Sequence, residues 1–361
     1  MSQVMIYAYT ANNLGDDLFI HTICTRYPKT KFLCYAPKSY QKTCNHLVNL
    51  EIIPNDRLLN KFIHAALRPY NKEFYLQEQV ARTCEIGVYI GGSIFMEQAD
   101  WEKEVQHVQA MKASHSSFFI LGANFGPYQS DTFYHTYEKL FRGMTDICFR
   151  DKKSKELFKH LPNVRQAADI VFQLKDTFSR EKPKEQILIS VIYPSIREDL
   201  KTDNTNYFKG IANISSQLVS EGYDVLLMAF CKEEKDHLAI REIISLIPNT
   251  LHHKVDSYTY NTNLQEAISK ISESKAVIAT RFHAMILGWI LNKPTYPIVY
   301  SNKMKTVMEE ISFKGDYSTV KNIHVADPKK IIQELDQEPI DISSFITDGE
   351  KQFVVLDSLL N

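Results

Sequence analysis

Short runs rich in β-branched and aromatic residues alternate along this chain with longer stretches of helical periodicity. The runs are QVMIYAY (3–9), GVYIGG (87–92), SSFFILGA (116–123), DICFR (146–150) and DIVFQL (169–174), then ILISVIY (187–193), YDVLLMAF (223–230), KAVIAT (275–280) and TYPIVY (295–300). Apolar strands alternating with helices are the pattern of βαβ units on largely parallel sheets. Between the two series the pattern lapses. KDTFSREKPKEQ, residues 175–186, is charged, contains proline, carries no apolar period and reads as a linker. The expectation is an α/β protein with an N-terminal domain over 1–174 and a C-terminal domain over 184–335. A last helical segment within 340–361 is expected to cross back onto the first domain. At 361 residues the chain is longer than one core usually organises, which agrees with two domains. Two doubly wound domains place ligands outside the carboxyl ends of their strands, in a crevice between them.

Candidate chemistry therefore belongs at the strand ends. In VIATRFHAMILGWILNKPTYPIVY, from Val277, an apolar strand runs into a helix apolar nearly all round, with Thr280 as the expected N-cap. Only the first turn of such a helix meets solvent. Its unpaired N–H groups and the planar fork of Arg281 suit a phosphate or carboxylate. Residues two apart on a regular helix point about 200° away from each other, so Arg281 is expected in the turn and His283 in the first helical turn. The competing reading pairs Arg281 with a carboxylate and leaves His283 to cap or pack. In DICFRDKKSKELF, Arg150 and Asp151 stand at a second strand-to-helix junction, where a capping aspartate and a structural ion pair are the alternative to a ligand site. After TYPIVY, the stretch YSNKMK brings Tyr300, Ser301, Lys303 and Lys305 to a further helix start.

The first βα turn, YTANNLGDDLF, offers Asn12, Asn13 and Gly15 for a tight turn, with Asp16 and Asp17 opening the next helix. Acidic residues there complement the helix dipole, and two beside two asparagines also suit sugar hydroxyls. Gly91, Gly92 and Ser93 close one strand; Gly122, Asn124, Phe125 and Gly126 close another. Neither G-x-G-x-x-G nor the P-loop is present, which argues against dinucleotide oxidoreductases and nucleoside triphosphatases. The G-x-S-x-G elbow is also missing.

Charge narrows the classes further. Lys plus Arg number 42 against 43 Asp plus Glu, so the chain lacks the basic footprint of a nucleic-acid binder, and any ligand charge must be met locally. The six cysteines are dispersed without a C-x-x-C pair and read as reduced, mostly buried thiols in a reducing compartment. No metal-ligand spacing is visible, and neither a metal nor a cofactor is expected. MSQVMIYAYT looks like a first strand, not a signal peptide. AMILGWIL is too short to span a bilayer, which needs about 20 apolar residues. The expected location is cytoplasmic, with at most peripheral contact at the inner face of the membrane.

In order and across nearly the whole chain, NNLGDDLF, IGGSIF, LGANFGPY, CFRDKKS, ADIVF and ATRFHAMILGWILNKPTYPIVYSNK resemble the polysaccharide pyruvyl transferases. The RFH segment is the most specific part. The resemblance implies a fold like that of GT-B glycosyltransferases, two Rossmann-like domains facing a cleft. It further implies phosphoenolpyruvate as donor, held on the C-terminal side, and a sugar or lipid-linked oligosaccharide of a bacterial exopolysaccharide, capsule or cell-wall glycan as acceptor on the N-terminal side. Carried over by motif, Arg150, Arg281 and His283 would hold and activate the donor. Asn13, Gly15 and Asp16 match the family's first turn. Asp17, Gly91, Gly92, Ser93, Asn124, Tyr300 and Lys303 complete the expected substrate-binding set. Stretches 30–80 and 195–270 match no pattern, and both, the first including KTCNHLVNLEIIPNDRLLNKFIH, are expected to shape the acceptor site.

The chemistry can be set beside the name. A pyruvate ketal requires protonating the methylene of phosphoenolpyruvate, stabilising cationic character at C2, expelling phosphate and adding two sugar hydroxyls. A histidine that gives and takes protons near neutrality and arginines that neutralise carboxylate and phosphate meet these needs. The runner-up is a GT-B glycosyltransferase with a sugar-nucleotide donor, against which stands the lack of an E-x₇-E element. A third reading, an inactive glycan-binding member, has no need of Arg281 or His283.

Overall fold

The computed structural model describes residues 3–57, 60, 63, 74–174 and 182–360. Most of the expected linker, 175–181, lies outside the described residues, as do 58, 59, 61, 62 and 64–73 of the expected acceptor-shaping stretch 30–80. The chain divides into two compact units: Met1–Thr10, Asp16–Gln173 and Ile346–Asn361 form the first, and Ala11–Gly15 with Leu174–Phe345 form the second.

Unit 1 is built on a seven-stranded, all-parallel sheet of β1 (Gln3–Tyr7), β2 (Lys31–Ala36), β3 (Leu50–Pro54), β4 (Ile86–Ile90), β5 (Ser117–Ala123), β6 (Asp146–Phe149) and β7 (Val164–Gln166), in the order β3-β2-β1-β4-β5-β6-β7. Val4 lies opposite Phe32 on one side and Ile86 on the other. Every residue of β4 is buried, as expected of a central parallel strand covered on both faces. Phe95, Phe125, Phe133, Tyr137, Phe141, Phe149 and Phe158 make an aromatic core on one face.

The segment from Ile346 is part of this unit and is held by polar contacts. The buried Gln352 side chain accepts from the Gly122 N–H at 3.0 Å and donates to the Ala167 and Ala168 carbonyls, each at 3.1 Å. Asp357 receives Arg26 at 2.7 Å and the Tyr27 hydroxyl at 2.7 Å. Two short helices, Ser343–Glu350 and Val354–Leu360, stand where one was expected.

Unit 2 carries a six-stranded parallel sheet of β8 (Lys184–Val191), β9 (Asp224–Ala229), β10 (Val255–Thr259), β11 (Ser274–Ala279), β12 (Thr295–Val299) and β13 (Ser318–Thr319), in the order β10-β9-β8-β11-β12-β13. Both orders are the doubly wound 3-2-1-4-5-6 progression, which reverses direction between β1 and β4 in unit 1 and between β8 and β11 in unit 2. The loops leaving the carboxyl ends of those pairs are the ligand-binding positions of this architecture. These loops are the Gly91-Gly92-Ser93 turn in unit 1, and in unit 2 the residues after Val191 and after Ala279, together with the first turn, which follows β1 in sequence but belongs to unit 2.

One expected strand is not a strand. DIVFQL forms a 3₁₀ turn over Ile170–Leu174, because Asp169 Oδ1 accepts the Val171 N–H at 2.9 Å and winds the chain before pairing can begin. Ile170, Val171, Phe172 and Leu174 are nonetheless buried, so the apolar run reports burial and not extension. Strands β2, β3, β7, β10 and β13 were not among the expected runs. All six cysteines are free thiols in buried positions. Among the described residues no helix is long and apolar enough to cross a membrane.

Candidate active site

Strand β11 ends at Ala279, and the helix Phe282–Ile290 begins three residues later with Arg281 as its N-cap, backbone extended at φ −77° and ψ 135°. Thr280 does not cap this helix. The Ser190 hydroxyl oxygen, delivered by the neighbouring strand β8, accepts both the Thr280 and the Arg281 N–H at 3.0 and 3.1 Å, and the Thr280 hydroxyl is spent on Tyr207 at 2.9 Å. Ser190 and Thr280 are fully buried, so the switch point is anchored sheet-side before any ligand arrives. Of the helix residues only His283 is not buried. It occupies the second helical position and is half-buried there.

The first turn belongs to this same unit. Asn13 bridges to Cys231 backbone to backbone, and the Leu14 N–H donates to the Phe230 carbonyl at 3.1 Å, which explains why Ala11–Gly15 leave the expected N-terminal domain. The left-handed residue of the turn is Asn12, φ 52°, a conformation asparagine tolerates better than most residues. Gly15 is needed for a different reason. A Cβ there would sit 1.9 Å from Nδ1 of His283, so the missing side chain is the space the imidazole occupies. Asn13 Oδ1 accepts the Gly15 N–H at 3.0 Å and fixes that approach.

Arg281 was expected to clamp an anion with its fork. Instead its side chain, 7% exposed, donates Nη1 to Glu234 at 2.7 Å and Nη2 to Asp236. Asp236 also accepts the Phe230 and Cys231 N–H groups, at 3.1 and 3.0 Å, so it is a fixed, fully buried wall of the site. Glu234 collects more: Asn13 Nδ2 donates to Oε1 at 3.0 Å, and Arg197 Nη2 joins Arg281 on Oε2 at 2.8 Å. Burial would raise the Glu234 carboxyl, but Arg281, Arg197 and Lys303 outweigh it and hold the group at about 2. Asp236 moves the other way, raised because burial exceeds what Arg281 returns. The Arg197 guanidinium lies 4.7 Å from the centre of the Tyr300 ring; Lys303 Nζ lies 5.4 Å from that ring and 5.5 Å from the ring of Phe282. Burial opposes ionisation of the Tyr300 phenol, yet Lys303, Arg197 and Arg281 together lower it below its ordinary value. The local potential is positive.

A second polar cluster forms within unit 1. Arg150, 2% exposed, donates Nη1 to Asp169 Oδ2 at 2.9 Å and Nη2 to Asn124 Oδ1 at 2.7 Å. Asn124 Oδ1 also accepts the Ser93 hydroxyl at 3.1 Å, and the Asn124 N–H donates to the Gly92 carbonyl at 2.8 Å. A Cβ on Gly92 would lie 2.6 Å from the guanidinium, so this glycine admits the arginine. The Arg150 fork, expected on the donor, is in this structure buried against Asp169 and Asn124, where it shapes the loops that carry Ser93 and Asn124. Gly91 donates its N–H to Leu121 at 3.3 Å as part of the same strand end. Asp151 caps the helix Lys152–Leu157 through the Ser154 N–H at 2.8 Å.

The acidic pair separates in role. Asp17 is buried, 4% exposed, and accepts the Tyr40 hydroxyl, which withdraws it from the expected substrate-binding set. Asp16 stays half-buried in the first turn of the helix Leu14–Arg26.

The structure therefore assembles Asn13, Gly15, Arg281, His283, Tyr300 and Lys303 in unit 2, and Gly92, Ser93, Asn124 and Arg150 in unit 1. Sequence reasoning missed Glu234, Asp236, Arg197 and Asp169. Glu234 and Asp236 lie in CKEEKDHLAI, which looks like a solvated charged stretch, whereas a charged residue opening the apolar run DIVF was a usable sign for Asp169. Among the described residues no three His, Cys, Asp or Glu side chains meet as a metal-ion site.

Solved structures with this architecture share little sequence with it. A putative UDP-N-acetylglucosamine 2-epimerase from Listeria monocytogenes is 9% identical with a TM-score of 0.61, over 100% of this chain and 96% of its own. The Anabaena protein Alr3699/HepE, solved with UDP and glucose, is 11% identical with a TM-score of 0.59, over 100% and 99%. The ADP-heptose LPS heptosyltransferase II of E. coli is 16% identical with a TM-score of 0.50, over 97% and 100%. These likenesses show the fold, that of GT-B glycosyltransferases and epimerases. No curated protein matches the chain significantly. The polysaccharide pyruvyl transferase family model, by contrast, matches residues 12–302, a span that holds the first turn, the Arg150 cluster and the Arg281–His283 turn, and the chain belongs to that family.

Proposed function

We propose that this protein transfers the pyruvyl group of phosphoenolpyruvate to two hydroxyls of a sugar in a bacterial surface polysaccharide or its lipid-linked precursor, forming a cyclic ketal and releasing phosphate. The observation that carries this reading is the seat of His283, its ring in the space left by Gly15 and its helix start surrounded by Arg281, Arg197 and Lys303. One proton-transfer group beside several cations is what the reaction requires. His283 gives a proton to the methylene carbon, which becomes the methyl group, while the cations hold the carboxylate and phosphate. The first sugar hydroxyl adds at C2 and loses its proton; phosphate leaves with the C–O bond electrons; the second hydroxyl adds and loses its own proton. His283 recovers one of these protons. The other goes to the departing phosphate. The donor and acceptor are substrates, and the reaction draws on no cofactor.

Ligand stabilisation tests the donor. A ligand that binds only the folded protein raises its melting temperature by mass action. Millimolar phosphoenolpyruvate should do so and UDP-, GDP- or CMP-sugars much less. A strong shift with a sugar nucleotide and none with phosphoenolpyruvate would turn the assignment to a GT-B glycosyltransferase.

A further inference from the structure

We propose that Arg197, outside every recognised motif of the chain, is the arginine of unit 2 whose guanidinium contacts the anionic group of the donor, and that Glu234 and the Tyr300 ring hold it in place for that contact. The inference rests on the reading of the Arg281–His283 turn as the donor site.

Arg197 follows β8 and Arg281 follows β11, the adjacent strands between which the sheet order reverses. Both guanidinium groups meet on a single oxygen: Glu234 Oε2 takes Arg281 Nη1 at 2.7 Å and Arg197 Nη2 at 2.8 Å. Arg281 has a second carboxylate in Asp236; Arg197 shares the only one it touches among the described residues. Glu234 and Asp236 together match the two guanidinium charges, so what is left over is hydrogen-bonding capacity, and the donor atoms say where. Arg197 Nη1 and Arg281 Nε are both buried with no hydrogen-bond partner among the described residues, and the Arg281 side chain is only 7% exposed. Leaving a charged N–H buried and unsatisfied is costly, and one such donor on each of two arginines fixed to the same atom marks a place for an oxyanion.

The plane of Arg197 is set on its other side. Its guanidinium stacks 4.7 Å from the Tyr300 ring centre, with Lys303 Nζ 5.4 Å from the same ring. A stacked fork loses little freedom when it binds phosphate or carboxylate in its plane. The ligand class is a small molecule with a phosphate or carboxylate group. Phosphoenolpyruvate and the diphosphate of a nucleotide share that chemistry, and the test separates them.

Inorganic phosphate, phosphoenolpyruvate and UDP are titrated by calorimetry into the wild-type protein, Arg197→Met and Arg197→Lys, with circular dichroism to verify folding. Loss of a charge-assisted hydrogen bond predicts phosphoenolpyruvate binding about tenfold to hundredfold weaker in Arg197→Met. In turnover the KM for phosphoenolpyruvate should rise by a similar factor while kcat changes little. Arg197→Lys should fall between, and it decides the question if Arg197→Met does not fold. A folded Arg197→Met or Arg197→Lys that binds phosphoenolpyruvate within twofold of wild type overturns the proposal and leaves pyruvyl transfer standing. If the wild-type protein ignores phosphoenolpyruvate but binds UDP, pyruvyl transfer fails, and the Arg197 variants are judged by the same loss against UDP. A wild-type protein that binds none of the three overturns the Arg197 assignment.

Discussion

Replacing Gly15 with alanine tests the geometry on which the proposed chemistry depends. The new Cβ would stand 1.9 Å from Nδ1 of His283, 2.8 Å from Cγ and 2.9 Å from Cε1. Comfortable contact is about 3.5 Å, so the ring must withdraw by roughly 1.5 Å. The helix cannot move with it, since its residues other than His283 are buried. Overpacking of this kind costs about 1–3 kcal/mol, against which alanine at the second position of the helix Leu14–Arg26 returns at most about 1 kcal/mol of propensity. The expected net loss is about 0–3 kcal/mol. Turnover should suffer far more, because a catalytic group displaced by about 1 Å loses on the order of 10²-fold. A double-mutant cycle isolates the contact. In a His283→Ala background the obstructing ring is absent, so Gly15→Ala should become neutral or stabilising by denaturant unfolding, a coupling of about 1 kcal/mol or more. Equal stability costs in both backgrounds, or a Gly15→Ala enzyme with normal kcat, would refute the packing of this turn on His283.

Other expectations follow from single groups. His283→Asn should leave folding and phosphoenolpyruvate binding near wild type, lower kcat by about 10² or more, and erase one limb of the pH–rate profile; a variant that keeps its rate and profile removes this histidine from the mechanism. Arg150→Lys should lower the melting temperature through loss of the Asn124 bond, and Asp169→Asn, which strands a buried guanidinium, should cost about 3–5 kcal/mol; unchanged unfolding curves would show that this buried pair does not hold the fold. His21, buried against His46 Nε2 at 3.0 Å, is lowered to about 4 by burial and by His46. The unfolded chain then binds the extra proton first as pH falls, so stability should drop by about 3 kcal/mol from pH 6.5 to 4 and hold steady above that window, and His21→Gln should flatten the slope.

The central strands were legible because a strand buried on both faces is apolar throughout, and β4, β5, β8, β9, β11 and β12 all fall in runs of that kind. The peripheral strands were not. VDSYT of β10 exposes Asp256 and Ser257 at a sheet edge, and β13 is two residues long, too short for any period. DIVFQL misled because burial and extension give the same apolar signal. At the site, the strand-to-helix position of Arg281 and His283 was readable from a polar pair set between two apolar segments. What Arg281 touches was not: Glu234 and Asp236 lie 47 and 45 residues away in sequence, and only the strand order β9-β8-β11 brings them to it. The role of Gly15 was hidden for the same reason, since its neighbour His283 enters from the far end of the chain and no local turn rule requires a glycine there.

Pyruvyl transfer itself is tested most directly by incubating the protein with phosphoenolpyruvate and a panel of pyranosides, measuring phosphate release and following the carbon skeleton of the donor by NMR. Phosphate release is expected only when an acceptor with a suitable hydroxyl pair is present, with one phosphate per sugar modified and the methyl signal of a pyruvate ketal on the product. Phosphate release that ignores the acceptor, or a modified sugar that carries no carbon from phosphoenolpyruvate, would contradict pyruvyl transfer.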